Sequence, residues 1–477
     1  MLKINGDKII YLSSGVDDAG KVFKFADKDS NIYRIINNKY SNFYSNFLSS
    51  PSIENLFKCG LIKTKQTNLK VTNGELIVKH ELINYVNYPY EWSREMLKDA
   101  AIFFLTFNLE LIKNGYFTKD AHSFNIIFVN NKLLFTDFTS IISNPLGIPN
   151  SWIVELYNSF IFPIMSFEID NGKFYREKII KNPVWIFTKK DLFKLFLNRY
   201  HVVKIYRFLL FILRYYIDVI IANFVKSKKS QIQYLLRLKK NISKMKILYP
   251  KSTWGNYYDT QKIVIQEKKT WNQKQYAICK IANILNINSV LDLGGNTGFY
   301  LDLIRNCNHN IKNTILFDSD EVCIDKAYLN RVKNKNIINL VVDFKNIGKD
   351  LVCVYNNKKI TYESIDKRIN ADLVMVLALT HHLVFDQNYN FDYISYKLSL
   401  ITKKYCIVEF VPKEDIYIKQ WWTREKYPNY NLKSFKKSLE KYFKVEAIYN
   451  SFPEIRKILL CKKRRTYAKF KKNRSRL

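Results

Sequence analysis

Residues 289–303, SVLDLGGNTGFYLDL, constrain the fold of this chain more than any other stretch. An apolar run reaches Asp292, opens into Gly294-Gly295-Asn296-Thr297-Gly298, and continues from Phe299 with helical spacing. A strand, a glycine turn and a helix start together make a cradle for an anion or carboxylate, because unpaired N–H groups and the positive end of the helix point at it. The spacing excludes two common cradles. A dinucleotide G-x-G-x-x-G beginning at Gly294 needs glycine where Asn296 and Phe299 stand, and a P-loop needs a Gly-Lys-Ser/Thr that does not follow. The spacing that fits is acidic-x-Gly-x-x-x-Gly, carried by Asp292, Gly294 and Gly298.

Downstream, strand-like runs at 314–317, 338–342, 372–378 and 405–411 alternate with helical or loop stretches. Such alternation predicts βαβ units and a parallel sheet. Polar residues mark the ends of these runs: Asp318 the second, Asp343 the third, His381-His382 beyond the fourth, and Glu409 in the fifth. YFKVEAIYNS and RKILLCKK then read as a closing antiparallel pair.

The loop and the order of the strand-end residues resemble class I S-adenosylmethionine (SAM) methyltransferases, with Asn296 in place of the usual middle glycine. The resemblance implies an α/β, Rossmann-like sheet over residues 251–465, SAM as cofactor and no metal. It implies that Asp292, Gly294, Gly295, Asn296 and Gly298 hold the methionine part, that Asp318 accepts hydrogen bonds from both ribose hydroxyls, and that Asp343 contacts the adenine amino group. VLDLGGNTGFY, LALTHHL, EFVPKED and the lead-in TWGNYYD (253–259) are similar to a group of bacterial SAM-dependent methyltransferases, some described as nodulation-protein-like. The similarity extends upstream to YPYEWS and KDAHSFNIIF, and so covers most of the chain.

Methyl transfer from a sulfonium is an in-line displacement, in which positioning supplies much of the rate. A hydroxyl acceptor also needs a base, whereas a neutral amine does not. His381 and His382 leave the fourth strand beside the expected methyl position, and imidazole titrates in the range a base needs. Glu409 is a third catalytic candidate, and Trp421 and Trp422 are candidate walls of an acceptor pocket. The missing Asp/Asn-Pro-Pro-Tyr and Pro-Cys runs argue against adenine, glutamine and cytosine-C5 methylation. A small-molecule, glycan or lipid-precursor acceptor is the expectation, with RNA as the alternative.

Residues 1–148 read as an α+β module, with strands around the turn at 27–30, another strand run at 76–86, and a helix from Ser93 towards Gly115. Within DAHSFNIIFVNNKLLFTD, Asp120 and Asn125 are followed by Asp137-Phe-Thr. This resembles the kinase catalytic loop D-x-x-x-x-N and its D-F-G, in which the first Asp orients an acceptor hydroxyl while the Asn and second Asp hold magnesium. No glycine-rich loop or V-A-I-K lysine precedes it, and Thr139 replaces the glycine. A working kinase-like site, a degenerate module and plain turn-forming residues are all open readings.

Residues 149–250 read as an aromatic, helical connector with a basic face at 226–246, and 466–477 as a basic tail. The formal charge of +35 suits acidic partners, either nucleic acid or an anionic membrane face, although abundant Asn, Ile and Lys also fit an A/T-rich coding bias. Seven scattered cysteines without a C-x-x-C predict a reduced compartment, no disulfide and no zinc site. The most apolar stretch, 205–224, is broken by Arg207, Arg214 and Asp218, and no leader is evident, so a cytoplasmic protein is expected.

Overall fold

In the computed structural model an antiparallel sheet opens the chain. The structure describes residues 9–12, 18–25, 31–69, 75–129, 132–170, 172–181, 187–197, 202–245, 252, 254–255, 270–331, 337–355, 358–422 and 427–464. The expected turn at 27–30, residues 253 and 256–259 of the lead-in, and the basic tail at 466–477 lie outside the described residues. Two units are distinguished: residues 1–250 with 351–362, and residues 251–350 with 363–477.

In the first unit β1 (Ile9–Tyr11), β2 (Gly20–Phe25), β3 (Ile32–Ile36), β4 (Thr64–Gln66) and β5 (Leu76–His80) form a sheet in the order β1-β2-β3-β5-β4. Helices α1 (Asn38–Leu48) and α2 (Ile53–Lys58) are inserted between β3 and β4. The strand predicted over 76–86 ends at His80. Beyond it YPYEWS makes a tight turn: the Glu91 carboxylate accepts the Tyr88 N–H, and the Trp92 indole donates to buried Asn87.

Helix α3 (Arg94–Lys113) follows Ser93 as predicted, and Gly115 stands in a left-handed turn, φ +85°, just past its end. Its buried stripe includes Leu97, Ala101, Phe104, Leu105 and Ile112, and Phe104 stacks on Trp152 at 5.5 Å. After α3, β6 (Tyr116–Thr118) pairs with β9 (Ile141–Ser143), and β7 (Ile126–Val129) with β8 (Lys132–Phe135). The loops between them carry Asp120, Asn125 and Asp137. Residues 150–243 are mainly helical, through α4 (Asn150–Leu156), α5 (Phe162–Asp170), α6 (Lys173–Lys181), α7 (Lys189–Leu197), α8 (Val202–Ala222) and α9 (Lys228–Ser243). Tyr234, Leu235, Leu238 and Ile242 form the buried stripe of α9.

In the second unit the capping box of Asn272 and Gln275 starts α10 (Gln273–Ile284). It leads into β10 (Ser289–Leu293), α11 (Phe299–Cys307), β11 (Asn313–Asp318), α12 (Glu321–Arg331) and β12 (Ile337–Val341). The hairpin β13 (Leu351–Tyr355) and β14 (Lys358–Tyr362) groups with the first unit, where Tyr362 packs on Tyr88 and Phe124. The chain then returns through β15 (Ala371–Val376), α13 (Thr380–Phe385), α14 (Phe391–Ile401), β16 (Thr402–Phe410), β17 (Phe443–Asn450) and β18 (Lys457–Lys463).

The sheet order is β12-β11-β10-β15-β16-β18-β17. β10, β11, β12, β15 and β16 are parallel, while β18 runs antiparallel to both β16 and β17. β10, β12 and β15 are buried at every residue, as strands covered on both faces must be, and this is why their sequences are almost continuously apolar. Strand order reverses between β10 and β15, which opens a crevice at their carboxyl ends. The no-disulfide reading is corrected in this unit: Cys279 of α10 and Cys307 of α11 are bonded to each other. Their separation of 28 residues carries no motif, and only the packing of the two helices brings the sulfurs together.

Candidate active site

The glycine loop lies at that crevice. Gly294 and Gly298 take left-handed conformations, φ +69° and +78°, and Gly294 N–H is bound to Phe317 O of β11 at 2.7 Å. At Gly295 the constraint is space, since a Cβ would stand 2.5 Å from the Asp292 carboxyl carbon. Asn296 is also left-handed, φ +54°, which asparagine tolerates better than most residues. Its N–H donates to Asp318 Oδ2 at 2.8 Å, and its Nδ2 donates to the Trp254 carbonyl at 2.9 Å. The departure from the usual glycine therefore has a purpose in this chain: the side chain ties down the lead-in segment. Ser252 holds the same segment by accepting the N–H groups of Trp254 and Gly255 and donating to Asp320.

Asp318 stands at the tip of β11, as predicted. Its other oxygen accepts the Asp320 N–H at 2.8 Å. Burial pushes its carboxyl up to about 6, an effect only partly offset by these backbone hydrogen bonds. Each carboxylate oxygen can accept more than one hydrogen bond. Asp343 is at the end of its strand too, but it accepts Lys345 N–H at 3.0 Å and pairs with Lys345 Nζ at 2.8 Å.

His381 and His382 sit in α13, immediately after β15, with rings 4.2 Å apart. Their environments differ. His381 is buried and held well below the ordinary imidazole value, by burial first and then by His382, Arg456 and Lys274. His382 Nδ1 lies 2.9 Å from Asp386 Oδ2, and the Trp422 indole N–H donates to Asp386 Oδ1 at 2.6 Å. A carboxylate only accepts, so Nδ1 is the donor of this bond. Trp254 and Trp422 pack edge-on against the His382 ring at 5.2 and 5.1 Å, and Trp421 lies 6.1 Å from Trp254.

Glu409 is placed differently from the two histidines. It is fully buried, with Oε2 2.6 Å from Lys274 Nζ and Oε1 accepting from Ser451, while its carbonyl accepts from Thr380 at the start of α13. Burial works against the Lys274 ammonium, but Glu409 and Tyr300 outweigh it and hold its pKa above the ordinary value. This buried ion pair anchors α10 to β16, and the Thr380 bond to the Glu409 carbonyl anchors α13. Sequence reasoning missed Lys274, Trp254 and Asp386; for Trp254, the lead-in TWGNYYD was the available signal.

In the first unit Asp120 Oδ1 accepts from Asn125 at 2.7 Å and from Ser140 at 3.1 Å. Burial, then Asp137 and Glu155, push its carboxyl up to about 7. Asp137 accepts from Thr139 at 3.0 Å and faces Arg34 of β3 at 3.5 Å, and Arg34 also bonds Thr139. Among the described residues no group of three or more His, Cys, Asp or Glu is arranged to hold a metal.

The sheet order, the glycine loop at the reversal point and the carboxylate at the β11 tip are the arrangement expected from the sequence resemblance to class I SAM-dependent methyltransferases. The chain is similar to "Nodulation protein NoeA" of Rhizobium meliloti (strain 1021), with 25% identity over 426 residues, covering 83% of this chain and 81% of that protein. Among solved structures it is similar to the N-methyltransferase NodS from Bradyrhizobium japonicum WM9 in complex with S-adenosyl-L-homocysteine, at 7% identity and a TM-score of 0.31, covering 44% of this chain and 99% of that one. It is also similar to a SAM dependent methyltransferase from Aquifex aeolicus, at 14% identity and a TM-score of 0.28, covering 40% and 89%. No family model matches the chain.

Because Glu409 neutralises a buried ammonium, Glu409→Gln is expected to lower the stability of the second unit by about 3–5 kcal/mol in urea unfolding. Replacing both partners, Lys274→Met with Glu409→Leu, should recover most of that loss.

Proposed function

We propose that this protein is a SAM-dependent methyltransferase that acts on a hydroxyl group, carried by a small molecule or a saccharide or lipid precursor, with His382 as general base and Asp386 as its positioning residue. The observation that carries this reading is the Asp386–His382 pair, oriented from its far side by Trp422 and packed against a tryptophan bonded to the cofactor loop. Neutral amines need no such base, so an oriented imidazole favours the hydroxyl. Gly294, Asn296 and Gly298 shape the cradle for the methionine part, and Asp318 is the ribose acceptor. Bound there, the cofactor supplies a methyl on a sulfonium, which leaves the chain to supply position and a proton acceptor. His382 takes the hydroxyl proton at Nε2 and is steadied as the imidazolium by Asp386.

A second inference concerns the first unit, which we read as a degenerate kinase-like module. It is supported by the five-stranded sheet with helices between β3 and β4, by the Asp120–Asn125 pair, and by Asp137 after the β7–β8 hairpin. In phosphoryl transfer the second aspartate holds magnesium; here Arg34 already presents a cation to Asp137. Calorimetric titration with ATP–magnesium is expected to give no heat, and micromolar binding would sink the degenerate reading.

Since the Asp318 carboxyl is pushed up to about 6, it loses accepting capacity as pH falls through that value. SAM affinity is therefore expected to rise about three- to tenfold between about pH 5 and about pH 7, and to become flat over that range in Asp318→Asn.

For the base, a matched pair of probes is decisive: methyl glucoside and its 2-amino-2-deoxy counterpart, with S-adenosylhomocysteine release as the readout. His382→Gln is expected to lower turnover of the alcohol by about 100-fold or more with SAM affinity unchanged. Asp386→Asn should shift the His382 tautomer seen in imidazole ¹⁵N spectra. Turnover of the amine alone, at a rate indifferent to His382, would favour N-methylation. Loss of SAM binding in the unaltered protein would instead overturn the cofactor assignment.

A further inference from the structure

Helix α8 carries the most apolar stretch of the chain, yet only one of its faces is covered. On the inner face Tyr215 packs on Tyr157 and Phe162 at 5.0 and 5.5 Å. Asp218, one of the charges that interrupts the stretch in sequence, is also on this face, where it accepts the Tyr157 hydroxyl at 2.6 Å and pairs with Arg237. The outer face is a stripe at intervals of three or four residues. Leu209, Leu213 and Ile220 are 58%, 56% and 55% exposed, Tyr216 is 46% exposed, and Phe224 just past the helix is 76% exposed. Single exposed apolar residues are ordinary, but a continuous stripe of them marks an interaction surface.

The charges beside the stripe indicate what covers it. Lys189, Lys190 and Lys194 of α7, with Phe193 and Ile212, line a groove of about 400 Å³ along α8. Lys189 Nζ bonds the Tyr216 hydroxyl at 2.7 Å, which sets a cation at the edge of the stripe. Beyond Phe224, Lys226, Lys228 and Lys229 are exposed as α9 begins. An apolar stripe bordered by lysines matches an anionic lipid surface, whose acyl region takes the stripe and whose headgroups take the ammonium groups. A second copy of the chain fits poorly, because a two-fold contact would set like charges against like. Nucleic acid would match the lysines and leave the stripe in water. No helix among the described residues is long and apolar enough to cross a membrane, so α8 would lie along the surface.

We propose that the outer face of α8, with the lysines of α7 and the start of α9, docks this protein on an anionic membrane surface. The test is flotation of the full chain with phosphatidylcholine vesicles, with and without about one-third phosphatidylglycerol. The unaltered protein is expected to float with the anionic vesicles and to be released as salt rises. L209E/L213E/I220E, which changes exposed positions only, should weaken flotation about tenfold or more while circular dichroism stays unchanged. K189A/K190A/K194A should remove most of the preference for anionic over neutral vesicles. The proposal is overturned if the unaltered protein stays with the unbound fraction at low salt, or if the triple-glutamate variant floats as well as the unaltered chain. It is equally overturned if the protein ignores vesicles and is a dimer that those glutamates convert to monomer.

Discussion

One residue in a left-handed conformation holds the site of the second unit together. A glycine in place of Asn296 would supply the turn and the N–H bond to Asp318 but not the side-chain bond to Trp254. The Asn296 N–H fixes the Asp318 carboxylate at the tip of β11, and its amide fixes Trp254. The loop after β10, the end of the neighbouring strand and the lead-in at 252–255 thus form one hydrogen-bonded assembly. Because the Trp254 ring rests on His382, the same residue that shapes the glycine loop also sets one wall beside the proposed base. The backbone strain of a non-glycine φ near +54° is small for asparagine and is offset by the side-chain hydrogen bond to Trp254.

Packing around that assembly assigns different work to like residues. Asp318 and Glu409 are both strand-end carboxylates of the sheet. Asp318 is met by backbone N–H groups, which leave it further accepting capacity. Glu409 is closed off by Lys274 and Ser451, and its value lies in not leaving an ammonium uncompensated in the core. Asp386, exposed at the surface, is given direction by two donors, His382 and Trp422.

Legibility in the sequence followed the range over which each feature is determined. The parallel sheet could be read because buried strands are almost continuously apolar, and the loop because its turn and helix start are local. Asp292, Gly294, Gly298 and Asp318 fall within a single strand–loop–helix–strand unit, so their spacing carries their geometry. Lys274 and Glu409, 135 residues apart, carry no such signal, nor do Asn296 and Trp254, 42 apart. Cys279 and Cys307 fail for the same reason. The place of Asp343 just past a strand was also legible, with Lys345 two residues on engaging its carboxylate through both N–H and ammonium. In the first unit the Asp120–Asn125 spacing was readable, whereas the Arg34 contact with Thr139 spans 105 residues and required the fold.

The paired histidines show why burial and base chemistry belong together. Two imidazoles 4.2 Å apart resist carrying two protons, so a base at one position works best when the other stays neutral. Burial and the Lys274 and Arg456 cations hold His381 in its neutral form. Those cations are themselves retained in the core by Glu409 and Asp415. The ion pairs beneath α13 therefore place two cations beside His381, while His382 has a carboxylate beside it. An isolated histidine at the end of β15 would have to be tuned by its own surroundings. Here the division is made by placing one ring among cations and the other against Asp386, and the second tryptophan of the Trp421–Trp422 pair keeps that carboxylate in place.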